Sequence, residues 1–336
     1  YILAAGVFIN HFNVIFNEDF KWIISSHNRV GAFFAISGFL IIGSLFKGSP
    51  FKKYAVNRAW RIFPSYFFVV VSVAVLFCFL SNLTASEYYT NSGFWKYLAA
   101  NLSFLNFLHP SLPGCFTGVD ANAVNGSLWT MKIEIQLSLM APLFVYLCKR
   151  YNLNVFRTIV IILIISLLYR MLFLHLYTTY EKPIYEILGR QLLAQMIYFF
   201  IGIAIYCMYD KFNKYKYHII ALSATLHILF SYLVDNHYYY ALLQPYVITT
   251  LVISLALIPG NIMKYIDRGY NISYEIYLSH FPCIIFAHYL RIDEKYGIYA
   301  ALAASILFTI CFSIITFFTV GQLYKKRNKF KTPVRQ

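Results

Sequence analysis

Four places in this chain combine residue type and setting in a way that allows chemistry. The stretch NGSLWTMKIE, residues 125–134, leads into the apolar segment QLSLMAPLFVYL and puts Lys132 and Glu134 about two turns inside it. An ionisable side chain within an apolar span is costly to desolvate, so it needs a partner or a task. A buried carboxylate must be paired or protonated. Lys132 stands two residues from Glu134, and residues two apart on a helix do not face each other. A neighbouring helix must therefore supply the partner. His11 closes YILAAGVFINH, roughly 15 Å of helix rise beyond Tyr1. His280 stands midway along ISYEIYLSHFP, where Pro282 would bend a helix and free a carbonyl. Glu275, five residues earlier, is expected to face elsewhere.

The fourth place is NRAWRIFP, with Arg58 and Arg61 three apart. They share one face if a helix begins before them. If it begins later, Pro64 suits its first turn. Histidine near neutral pH accepts and returns protons, and arginine is suited to planar phosphate groups. Each group also has a plain reading: a histidine bonded across a bundle, a structural ion pair, or a basic flank of a membrane span. Chemistry and architecture remain alternatives at this level.

The rest of the chain decides what must position these residues. Of 336 residues, 60% are hydrophobic and 12% charged, about half the charged share of an ordinary soluble domain. Mean hydropathy is +0.61. We therefore expect an all-α polytopic membrane protein. The net charge of +15 does not indicate nucleic acid, because the basic residues fall in short clusters between apolar runs. Contact with lipid headgroups accounts for them. Six cysteines with no CxxC pair, and nine histidines with no HExxH, give no disulfide framework and no metal site. The chain is apolar from Tyr1, with no basic leader region, and reads as truncated at its N-terminus, inside its first helix.

Apolar runs long enough to cross a bilayer occur near 1–16, 31–46, 62–80, 127–148, 158–174, 191–208, 219–234, 238–258, 272–290 and 298–320. The expectation is one bundle of about ten transmembrane helices over 1–336. Lysine and arginine in alternate gaps divide nineteen to eight, with Lys132 inside a span, which puts both termini in the cytoplasm. The longest loop, 81–126, then lies outside. Its middle, FWKYLAANLSFLNFL, is amphipathic, and its three sequons at Asn82, Asn101 and Asn125 read as chance matches. In GAFFAISGFL, Gly31, Ala35 and Gly38 permit close helix contact, and Ser37 could donate a hydrogen bond inside the bundle. No GxSxG elbow supports a nucleophilic role for Ser37.

Five stretches in order resemble the membrane acyltransferase-3 family, which contains polysaccharide and lipopolysaccharide O-acetyltransferases. They are the early run ending in His11, GAFFAISGFLI, NRAWRIFPSYF, SLWTMKIEIQLSLMAPL and ISYEIYLSHFP. The family's arginine eleven residues before the histidine would fall one residue before Tyr1. Thr130 replaces a serine after Trp129, and Lys132 replaces a small or polar residue.

The resemblance implies an acyl-CoA-dependent O-acetyltransferase of the bacterial inner membrane. It implies His11 as base or acyl carrier and Glu134 in the reaction path. Arg58 and Arg61, with Lys52 and Lys53 nearby, would hold acetyl-CoA. Ser37, Trp129, Thr130, Tyr274 and His280 would form the supporting set. The acceptor would be a hydroxyl of a glycan or lipid-linked glycan, with membrane lipids around the protein and no nucleic acid or metal. An exporter or flippase of an acylated or saccharide product is the alternative, and it would need polar residues through both halves of the membrane.

Overall fold

The structure is a computed structural model and describes residues 1–21, 26–115, 123–233, 242–258 and 271–323. The start of the 238–258 run, the basic residues Lys264 and Arg268, and the tail from Lys325 lie outside the described residues. Every described element is helical. In chain order they are α1 (Ile2–Phe16), α2 (Ser26–Phe46), α3 (Phe51–Leu76), α4 (Ala85–Thr90), α5 (Ser92–Leu102), α6 (Trp129–Arg150), α7 (Val155–Tyr180) and α8 (Pro183–Leu188). There follow α9 (Leu192–Cys207), α10 (Tyr209–Lys214), α11 (Lys216–Leu233), α12 (Gln244–Ala256), α13 (Ser273–Tyr289), α14 (Ile292–Tyr296) and α15 (Ile298–Thr316).

Where they are described, the ten apolar runs fall on helices. Among the described residues, six stretches are long and apolar enough to cross a membrane: Arg29–Phe46, Phe51–Leu80, Gly126–Arg150, Val155–Tyr180, Pro183–Cys207 and Ile298–Gly321. Several such stretches in one chain make this a multi-pass membrane protein. The helices on the other four runs are α1, α11, α12 and α13, of 15, 18, 13 and 17 residues. A 13-residue helix rises about 20 Å, short of a hydrocarbon core of about 30 Å. The largest boundary difference is in α3. It begins eleven residues before the run near 62, so Pro64 lies inside the helix rather than in its first turn.

The chain divides into two compact units. One comprises Tyr1–Ile23, Ala55–Lys132 and Gly269–Gln336. Here α13 packs against α1 and α15, around a core of Phe8, Phe12, Ile284 and Ala301. The 81–126 segment is folded where it is described. Thr84 and Glu87 form a capping box that starts α4. The Tyr88 hydroxyl donates to the Ala74 carbonyl, and Tyr66 to that of Asn101, each at 2.7 Å. The amphipathic α5 thus buries Phe94 and Tyr97 and is tied to α3. Asn101 and Asn125 are 2% and 5% exposed, so neither can carry a glycan.

The other unit comprises Ile24–Tyr54 and Ile133–Arg268. In it α2 and α9 meet through reciprocal glycines. A Cβ on Gly38 would strike the Phe199 carbonyl, and one on Gly202 would strike the Ala35 carbonyl. The small residues in GAFFAISGFL allow this approach of one backbone to the other. Gly38→Val is expected to cost about 1–3 kcal/mol through overpacking, read as a lower Tm in detergent.

Candidate functional site

Within the first unit, two imidazoles meet. His11 Nδ1, on α1, lies 2.7 Å from His280 Nε2, on α13. Their ring centroids are 5.0 Å apart and the planes 21° from parallel. His280 is 1% exposed, whereas His11 is half-buried. His280 Nδ1 lies 2.8 Å from the Tyr277 carbonyl and 3.2 Å from that of Ile276. Phe281 stands edge-on to His11, with ring centroids 5.0 Å apart.

The local fold explains how α13 can hold this pair. Pro282 has no N–H for the carbonyl four residues back, that of Leu278. The Asn125 side chain takes the place of the missing donor, with Nδ2 to oxygen at 2.8 Å. Asn125 Oδ1 also accepts from the Ser127 hydroxyl at 2.6 Å. Asn125→Ala leaves a buried carbonyl unpaired and is expected to cost about 1–3 kcal/mol, measured as a fall in thermal stability of the purified protein.

Just beyond, Thr130 Oγ1 and the Tyr277 hydroxyl are 2.5 Å apart, and both also reach the Ser127 carbonyl. Trp129 opens α6 and is half-buried. Lys132 holds its ammonium 4.8 Å from the centre of the Phe107 ring, a cation–π contact.

Arg58 and Arg61 lie well inside α3, three apart, so they share a face. Arg58 is half-buried and Arg61 exposed. Next to Arg61, the Ile62 carbonyl accepts from the Tyr274 hydroxyl at 3.0 Å. One turn on, the Ser65 hydroxyl donates to Glu275 Oε1 at 2.8 Å. Glu275 thus faces α3, away from His11. Lys52 and Lys53 are exposed in the first turn of α3. Tyr274 and His280 are six residues apart on α13, or about 9 Å of rise.

In the second unit, Ser37 on α2 donates to Glu134 Oε1 on α6 at 2.6 Å. A neighbouring helix does supply a partner for this carboxylate. Pro142 repeats the arrangement at Pro282. The carbonyl it leaves without an amide donor, that of Ser138, accepts from the Tyr54 hydroxyl at 2.7 Å. The expected site residues thus fall into two sets. His11, Arg58, Arg61, Trp129, Thr130, Tyr274 and His280 belong to the first unit, and Ser37, Lys52, Lys53 and Glu134 to the second. Among the described residues, no group of three or more His, Cys, Asp or Glu could hold a metal ion.

Asn125, Ser127, Tyr277 and Ser65 are polar residues of this region that the motifs do not single out. Asn125 is obscured by its sequon. Its one signal is a polar residue just ahead of a span in a chain whose helices are interrupted by proline.

A family model described as an acyltransferase domain matches residues 1–322. Nodulation protein 10 of Rhizobium leguminosarum bv. viciae is 30% identical over 134 residues, which is 39% of this chain and 36% of that protein. The match therefore spans about a third of the relative's length. No solved structure matches the chain.

Proposed function

We propose, for a chain that belongs to the acyltransferase-3 family of membrane proteins, that it transfers an acyl group, acetyl first among them, from acyl-CoA to a hydroxyl of a surface glycan or its lipid-linked precursor. The observation that carries this reading is the layout of α13. In its first turn the Tyr274 hydroxyl donates to the Ile62 carbonyl of α3, next in the chain to Arg61. About 9 Å further along, the same helix holds His280 against His11. The arginine-bearing helix α3 and the histidine-bearing helix α1 thus meet α13 at points about 9 Å of rise apart.

The chemistry follows from that order. A sugar hydroxyl stays protonated near neutral pH and is a poor nucleophile. His11 takes its proton as the oxygen attacks the thioester carbonyl, and returns it to the sulfur of the departing coenzyme A thiolate. The pyrophosphate and 3′-phosphate of the donor bind Arg58 and Arg61, with Lys52 and Lys53 adding positive charge. Glu134, hydrogen-bonded to Ser37, supplies a carboxylate to the reaction path. On this reading the chain forms one transmembrane domain of ten spans in a bacterial inner membrane. Both ends face the cytoplasm and 81–126 faces outward, consistent with the uneven distribution of lysine and arginine.

The test is purified protein in lipid vesicles, supplied with radiolabelled acetyl-CoA on the side of the basic residues and glycan on the other. Label entering the glycan is the expected result. Passage of unmodified glycan with no acetyl transfer would overturn the proposal in favour of an exporter.

A further inference from the structure

We infer that His280 is a positioning residue that holds His11 as its Nδ1–H tautomer, making Nε2 of His11 the nitrogen that receives the acceptor's proton. The inference deepens the function proposed above and depends on it for the chemistry, but the tautomer follows from geometry alone.

The argument starts at the backbone. A carbonyl oxygen can only accept, so the two carbonyls beside His280 Nδ1, of Tyr277 at 2.8 Å and Ile276 at 3.2 Å, require that nitrogen to carry a hydrogen. A neutral imidazole has one N–H. His280 Nε2 is then a lone pair, and it lies 2.7 Å from His11 Nδ1. Two lone pairs at that distance repel each other, so His11 Nδ1 must be the donor. The reverse arrangement needs a doubly protonated His280, which would be a cation sealed from water at 1% exposure.

The uncharged pair therefore has one arrangement. The Tyr277 carbonyl accepts from His280 Nδ1–H, and His280 Nε2 accepts from His11 Nδ1–H. Nε2 of His11 carries the remaining lone pair on the half-buried ring. When the acceptor hydroxyl loses its proton to that nitrogen, His11 becomes an imidazolium and keeps its Nδ1–H bond to His280. The proton then leaves from Nε2 to the thiolate sulfur. His280 does for His11 what a buried aspartate does for the histidine of a hydrolase triad: it selects the tautomer and fixes the ring.

Pro282 and the Asn125 amide that donates to the Leu278 carbonyl lie on the same stretch of α13 as Tyr277 and His280.

The decisive experiment is nitrogen NMR of full-length protein labelled with 15N-histidine in lipid nanodiscs, with His11 assigned from the His11→Asn variant. The expected spectrum shows His11 protonated at Nδ1 and bare at Nε2. A wild-type spectrum with His11 protonated at Nε2 overturns the inference. Two variants supply the kinetic arm. His280→Leu removes the acceptor and should lower kcat about 10–100-fold, the range for partners that orient a metal-bound histidine, with the KM for acetyl-CoA unchanged. His280→Gln offers Oε1 near the position of Nε2 and should recover most of that loss. Wild-type kcat in a folded His280→Leu protein also overturns the inference. If His280→Leu fails to fold, the wild-type spectrum still decides. If wild-type protein transfers no acyl group, the proposed function fails while the spectrum continues to report the tautomer.

Discussion

His11→Asn is expected to lower kcat for acyl transfer by about 10²–10⁴-fold, the usual contribution of a positioned general base, with little change in stability. Asparagine is chosen because its Nδ2 lies near the place of Nδ1 and can still donate to His280 Nε2. Alanine would leave that buried nitrogen unpaired, at a cost of about 1–3 kcal/mol, and would mix a folding defect with a catalytic one. The two substitutions together separate the roles. Both should abolish most turnover, but only alanine should lower Tm. Steady-state transfer from labelled acetyl-CoA, measured beside a thermal melt, checks this. Full turnover in His11→Asn would remove the imidazole from the mechanism.

The second large effect concerns the donor. Arg58→Ala combined with Arg61→Ala should weaken acyl-CoA binding by about 100-fold or more. Hydrogen bonds to charged groups contribute about 1.5–3 kcal/mol each, and about 1.4 kcal/mol is a factor of ten. The fold should survive, since Arg61 is exposed and Arg58 half-buried. The readouts are the Kd for coenzyme A by calorimetry and KM with kcat at saturating donor. A raised KM with kcat preserved is expected. Unchanged affinity would move the donor site elsewhere.

Much of this was legible in the residues because membrane constraints are strict. A span must be apolar and helical, so the runs reveal the helices, and a charge or imidazole inside one stands out. His11, Glu134 and His280 stand out that way as candidates, and Pro282 announces a freed carbonyl, that of Leu278. The small residues at 31, 35 and 38 likewise announced the approach of α2 to α9. What stayed hidden depends on distance along the chain. No local pattern links Asn125 to Leu278, 153 residues away, or His11 to His280, 269 residues away. The start of α3 was also hidden, because its polar first turns, with Lys52, Lys53 and Asn57, carry no hydropathy signal.

The division of the first unit into three separate stretches of chain has a consequence for how the protein is made. A ribosome adds about 5–20 residues per second, so α1 waits roughly 13–54 s between its own emergence and that of α13, 269 residues later. Through that interval the His11 imidazole lacks the helix that pairs it, and the Asn125 amide lacks it for the last 153 residues. The histidine pair is therefore among the last contacts to be assembled, and a nascent chain halted before α13 carries Arg58, Arg61 and His11 but not the pair.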